Sequence, residues 1–223
     1  IEPSLGPLGA PAIDFGAAAS GANCSTESNW ILRVGPRAAN LKSDLISHPP
    51  VWAYAKRAGY ETHYIDMQYA DDVLHNAMTA EERAMIDHLT AAGMVPAYAR
   101  DRLAGAQLQK LLANDHPDFV LINKGGAHFP WDSKYPADEA PYQPTLGIAG
   151  NPLLAHLRGQ KELRAAMGRT AGSPAFRNSY RNAARWAVSS FFEELQVGPW
   201  LAEAVVLYTS DHGQNVTRGG GRS

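Results

Sequence analysis

Apolar residues recur at two periods along this chain, and each period predicts its own kind of element. Phe176, Tyr180, Ala183, Ala187, Phe191 and Leu195 follow one another at three and four residues, which predicts a long amphipathic helix. Ser173 suits its N-cap and Pro174 its first turn. A second stripe, Leu103, Leu108, Leu111 and Leu112, predicts a helix over 101–112. Thr79 and Glu82 stand at capping-box spacing ahead of Met85, Ile86 and Leu89, predicting a helix that ends near Gly93. Residues 49–59 read as a short helix with proline in its first turn and Gly59 just past its end.

Between these helices lie short runs rich in β-branched and aliphatic residues. Glu61 to Met67 alternates as a strand, with His63 inside it as a structural residue. Asp118 to Asn123 and Ala204 to Thr209 are continuous apolar runs, the pattern of buried parallel strands. Helix, glycine and strand in alternation predict an α/β fold, with a mixed, largely parallel sheet sandwiched between helices. Residues 1–22 and 131–172 break the pattern with Gly, Pro, Ala, Ser and Asp. The second stretch reads as an excursion over a site, with one short helix at 153–166. Glycine crowds the chain again after residue 216, as in a flexible loop.

Composition narrows the function more than the fold. With 223 residues, 45% of them apolar, the chain can bury one substantial core, so residues 1–223 read as a single domain. A formal charge of -2 with scattered basic residues gives no electrostatic case for nucleic acid. Arg177, Arg181 and Arg185, spaced by four, read as a solvated stripe. No apolar run is long enough to span a membrane. The single cysteine, Cys24, cannot form an internal disulfide and reads as a small packing residue.

Chemistry collects where the apolar runs stop. Ala204 to Thr209 ends in Ser210-Asp211-His212-Gly213, offering a carboxylate and an imidazole on adjacent residues beside a flexible turn, an arrangement suited to a divalent metal. Asp118 to Asn123 ends in Lys124-Gly125-Gly126-Ala127-His128. Ser25 and Thr26 precede the apolar Trp30-Ile31-Leu32, which places a hydroxyl at a helix N-terminus, where free N–H groups favour an alkoxide and a bound phosphate or sulfate. If these ends converge, Thr26 or Ser25 supplies a nucleophile. Asp211 and His212 then bind the metal that activates it, and His128 binds a second ion, orients the substrate or protonates a leaving oxygen. Asn23 and Lys124 are candidates for substrate binding.

Cys24-Ser25-Thr26-Glu27-Ser28 resembles the nucleophile segment of the phosphoethanolamine transferases, in the alkaline-phosphatase and sulfatase superfamily, and the matching threonine is Thr26. Gly126-Ala127-His128-Phe129-Pro130 is similar to their His-x-Pro segment, and Ser133-Lys134-Tyr135-Pro136 to the Arg-Tyr-Pro after it. Ser210-Asp211-His212-Gly213 resembles their metal motif. The resemblance covers residues 20–215 in order and spacing. It implies an alkaline-phosphatase-like fold, one or two zinc ions held by Asp211, His212 and Thr26, and a covalent phospho-threonine intermediate. The implied donor is a phospholipid head group and the implied acceptor a lipid or glycan, at the periplasmic face of the bacterial inner membrane. Membrane attachment would come through segments absent from this chain.

The pattern is incomplete in this sequence. An acidic ligand ahead of the nucleophile and a histidine beyond Ser-Asp-His-Gly have no counterpart, so the chain reads as the middle of a catalytic domain, without its first strand and last segment. The formylglycine sulfatase signature fails, since Thr26 stands where it requires proline and Ser28 where it requires arginine. A phosphodiesterase, phosphatase or sulfatase-type hydrolase using water as acceptor is the alternative enzyme. A sulfatase-like binding module without catalysis is the alternative outside enzymes.

Overall fold

A computed structural model describes residues 13–70, 75–147, 172–196, 198–214 and 216. The chain enters through an irregular segment into helix α1 (Ser25–Val34), followed by α2 (Leu41–Ser47) and α3 (Val51–Arg57). Strand β1 (Glu61–Asp66), the short helix α4 (Ala80–Arg83) and β2 (His88–Ala91) come next. Helix α5 (Arg100–Leu112), β3 (Asp118–Asn123) and the long α6 (Pro174–Phe192) complete the regular elements. Among the described residues the sheet has three strands in the order β2-β1-β3, all parallel. No helix among them is long and apolar enough to cross a membrane.

Strand alternation divides the core into two layers. Tyr64 on one face of β1 joins Trp52 of α3, Met78 and Ile86. Ile65 on the other face joins Ala104 and Leu108 of α5 with Phe191 and Phe192 of α6. The sheet is thus packed between helices, as expected. A third cluster, Trp131, Tyr135, Phe176, Ala183 and Trp186, fastens the 131–147 segment to the first half of α6.

Helix α6 starts as its sequence predicts, the Ser173 hydroxyl accepting from Phe176 N–H at 3.1 Å. Its buried face also carries polar residues that periodicity does not mark. Ser179 Oγ accepts from Leu146 N–H, and Asn182 exchanges hydrogen bonds with the Tyr142 backbone. Where α6 crosses α5, a Cβ built on Gly105 would lie 2.4 Å from the Phe191 carbonyl oxygen. Gly105→Ala is therefore expected to destabilise the chain by roughly 1–3 kcal/mol despite alanine's better helix propensity, read as a lowered urea midpoint.

Two predicted elements take another form. The helix expected from Thr79 to Gly93 ends at Arg83, and His88–Ala91 becomes strand β2. The Thr79 cap forms, accepting from Glu82 N–H at 3.1 Å, but the Glu82 carboxylate turns to Arg33 and Trp52 instead of back to the cap. Asp87 accepts from the Thr62 N–H and hydroxyl, which ties the next segment to the central strand. Ladder pairing with β1 then outweighs the local helical stripe.

The run Ala204 to Thr209 is not a buried strand. Val205 is 89% exposed and Leu207 82%, and among the described residues no strand pairs with the segment. An apolar run is buried as a strand only where a neighbour supplies both ladder bonds and a covering face. Here the segment is held by Tyr208, whose ring packs on Phe191 and Phe192. Cys24 also differs from expectation: it is exposed, and its thiol donates to the Glu27 carboxylate instead of packing. The helix expected at 153–166 and the glycine-dense end after 216 lie outside the described residues.

Candidate functional site

Helix α1 begins where the hydroxyl residues stand. Cys24 is extended at the N-cap without a side-chain cap, so Ser25 and Thr26 occupy the first turn. The first backbone hydrogen bond of the helix runs from Ser28 N–H to the Cys24 carbonyl, leaving the Ser25 and Thr26 N–H groups without a helical acceptor. Thr26 is exposed and Ser25 half-buried, while Asn23 is exposed just ahead of the helix.

The late motif folds back onto this turn. Ser25 Oγ lies 3.2 Å from His212 Nε2, across 187 positions of sequence, and Ser20 Oγ donates to the Asp211 carbonyl at 2.7 Å. His212 Nδ1 is 2.8 Å from the Gly213 carbonyl, which can only accept, so that nitrogen bears a proton. Nε2 is the nitrogen that faces the Ser25 hydroxyl.

The donor set suits a divalent cation. Asp211 Oδ1 accepts from His212 N–H at 2.9 Å, but buried Oδ2 accepts no hydrogen bond among the described residues. That bare carboxylate oxygen lies 3.7 Å from His212 Nε2, and an orphaned carboxylate oxygen beside an imidazole nitrogen is a pair of donor atoms that a cation would satisfy.

The end of β3 leads to the other predicted histidine. His128 lines a cavity of about 140 Å³ with Gln68, Tyr69, Gly125 and Lys134. Its Nδ1 lies 2.6 Å from the Phe129 carbonyl, which leaves Nε2 for another partner. The loop is fixed from below by Asp101 of α5, whose carboxylate accepts from Gly125 N–H at 2.7 Å and Gly126 N–H at 3.0 Å. Gly126 has φ +54°, a conformation that favours glycine.

Lys124 turns inward. Its ammonium donates to the Ala187 carbonyl and, at 3.0 Å, to the Tyr208 hydroxyl, and lies over the Phe191 and Tyr208 rings. Burial pushes its pKa down to about 8, against the opposing pull of Asp101.

Sequence reasoning missed Asp66, which ends the central strand. It accepts from the Tyr64 hydroxyl, Gln68 N–H and Asn123 Nδ2, and burial raises its pKa despite those bonds. The signal was present: Asp66 ends its strand in the same way that Asn123 ends β3, and the parallel register sets the two side by side. Asp101, Gln68 and Tyr69 carry no motif and become visible only in the fold.

The fold is similar to that of the C-terminal periplasmic domain of EcEptC from Escherichia coli in complex with Zn, with a TM-score of 0.53 at 16% identity over 79% of this chain and 46% of that one. A second structure of that domain gives a TM-score of 0.50 at 15% identity, over 78% and 45%. This chain therefore spans less than half of either neighbour, and likeness at such identity is one of fold. No curated protein gives a significant match. The sulfatase family profile, in contrast, matches residues 25–223, from the first residue of α1 through the Asp211-His212 pair. On that match, which covers most of the sequence, the chain belongs to the sulfatase family.

Proposed function

We propose that this chain is the catalytic part of a transferase that moves a phosphoethanolamine-type group from a phospholipid to a lipid or glycan acceptor through a hydroxyl at the start of α1. The observation that carries the reading is the meeting of the Ser25 hydroxyl with His212, beside the bare oxygen of Asp211. Two adjacent hydroxyls divide the work. Thr26 matches the threonine of the transferase pattern and is exposed to an approaching phosphodiester, so it is assigned as nucleophile. Ser25 is assigned to face His212 Nε2 until an ion takes that nitrogen.

Asp211 and His212, with the Thr26 hydroxyl, would hold a divalent ion of the zinc type. Such an ion lowers the pKa of a nearby hydroxyl and offsets negative charge on the phosphoryl oxygens. The first-turn N–H groups of α1 add donors for the same oxygens. As the exposed Thr26 hydroxyl gives its proton to solvent and its oxygen bonds to phosphorus, the bond from phosphorus to the donor's glycerol oxygen breaks. That oxygen takes a proton from His128, and an acceptor hydroxyl later displaces Thr26 in the reverse sense. A periplasmic setting agrees with this reading, by likeness to a periplasmic domain.

Incubation with a phosphoethanolamine phospholipid, acid quenching and peptide mass spectrometry test the proposal. The adduct is expected on Thr26. An adduct on Ser25 would support the second reading, in which the hydroxyl already 3.2 Å from His212 is the nucleophile. Free phosphoethanolamine released equally with and without acceptor would instead indicate a hydrolase, and no adduct or product from a metal-loaded protein would leave the binding module.

A further inference from the structure

At the opposite end of the sheet the strands begin with a second set of metal-ligating side chains. Glu61 opens β1, and His63, two residues on, shares its face. The parallel register sets His88 of β2 opposite His63 and Asp118 of β3 opposite Glu61. Four residues from three strands are thereby gathered on one face. Along β1, Glu61 lies five residues from Asp66, about 16 Å, and His63 three residues, about 10 Å, and both side chains point to the other face of the strand, so they are not part of the strand-end chemistry described above.

Their contacts are those of a built cluster. His88 Nε2 lies 2.6 Å from Glu61 Oε1, and the His63 and His88 rings stack at 4.6 Å with planes 17° apart. His63 Nε2 is 3.1 Å from Asp118 Oδ1, while Asp118 Oδ2 accepts from Asn114 Nδ2 at 2.8 Å. Ligand atoms of Glu61, His63 and His88 all fall within 4.8 Å of one another. The His63 and Asp118 side chains are 12% and 7% exposed, whereas His88 and Glu61 are 53% and 43% exposed. The cluster therefore has a closed floor and a mouth open to solvent.

We propose that Glu61, His63 and His88 form a binding site for a divalent cation of the zinc type, clasping β1 to β2. Two imidazoles and a carboxylate are a donor set that zinc accepts, with water completing the coordination. Asp118 acts on His63 as the carboxylate partner that fixes a ligating ring and raises its basicity, and Asn114 in turn fixes Asp118. Ligand atoms around a tetrahedral zinc stand about 3.4 Å apart, so the Glu61 to His88 contact needs to widen by less than an ångström as the cation replaces the proton between them.

Zinc binding to the full 223-residue chain, measured by equilibrium dialysis with elemental analysis, tests the site. Cys24→Ser removes the one thiol, and Asp211→Ala with His212→Ala removes the other candidate site. This variant is expected to bind one zinc per chain. Adding His88→Gln or Glu61→Gln, both at exposed positions, should weaken binding at least tenfold with an unchanged circular dichroism spectrum, and Asp118→Asn should weaken it by about 10- to 100-fold. No zinc on the Asp211→Ala/His212→Ala variant, or zinc held equally well after His88→Gln and Glu61→Gln, overturns the proposal without touching the transferase reading.

Discussion

Thr26→Ala is expected to abolish group transfer, lowering the rate by at least about 10³-fold, because a covalent route has no substitute for its attacking oxygen. Ser25→Ala should cost less, about 10- to 100-fold, since it removes a polar group packed beside His212 and leaves the nucleophile in place. Initial rates with a phosphoethanolamine phospholipid and a saturating acceptor give both numbers. The order of the two effects is the decisive quantity. If Ser25→Ala is the silent enzyme and Thr26→Ala the merely slow one, Ser25 is the nucleophile. Both residues lie in the first turn of one helix, so either assignment keeps the attacking oxygen at the positive end of α1. Equal, small losses in both variants would remove the hydroxyl mechanism altogether.

The fold was legible where local pattern and tertiary need agree. β1, β3, α3, α5 and α6 appear where alternation, stripes and caps place them, and the parallel sheet between helices follows from their order. Reading failed where a partner outside the local window decides. Ile86 and Leu89 look like the continuation of a helical stripe, yet Thr62 and the open edge of β1 draw that segment into the sheet. Val205 and Leu207 look like core, yet an apolar run needs a neighbouring strand before it can be one, and sequence pattern says nothing of neighbours.

The candidate site was legible in its parts and not in its assembly. Ser25 and His212 were both named, and the fold brings them into contact. His128 instead faces a cavity shared with Gln68 and Tyr69, residues without any motif. Lys124 illustrates why residue type alone misleads: beside two glycines it looks like a substrate ligand, but the surrounding Phe191 and Tyr208 rings and the Ala187 carbonyl hold its ammonium inside. Asp66 escaped notice for the converse reason, because an acidic residue inside an alternating strand reads as the exposed partner, while the sheet buries it against Asn123.

Loss of either partner of the Arg33 to Glu82 pair is expected to destabilise the chain strongly. Arg33 Nε lies 2.6 Å from Glu82 Oε1, with side chains only 1% and 7% exposed. Arg33 also donates to the Asn76 carbonyl at 2.8 Å, and Glu82 accepts from Trp52 Nε1 at 3.0 Å. Arg33→Met strands a buried carboxylate, and Glu82→Gln a buried guanidinium, each costing about 3–5 kcal/mol; replacing both by apolar residues should recover much of that loss. Urea denaturation of the two single variants and of Arg33→Met/Glu82→Leu measures the pattern. Single losses below about 1 kcal/mol would mean that water reaches the pair and that it behaves as a surface bridge. The consequence extends to the site, because Arg33 lies in the last turn of the helix that Ser25 and Thr26 begin, about 10–12 Å away. With the far end of α1 fixed to α4 and Trp52, its first turn is held against His212 by a rigid rod. The double variant should therefore keep its stability and its Ser25 to His212 contact together, whereas a single variant should lose both at the same denaturant concentration.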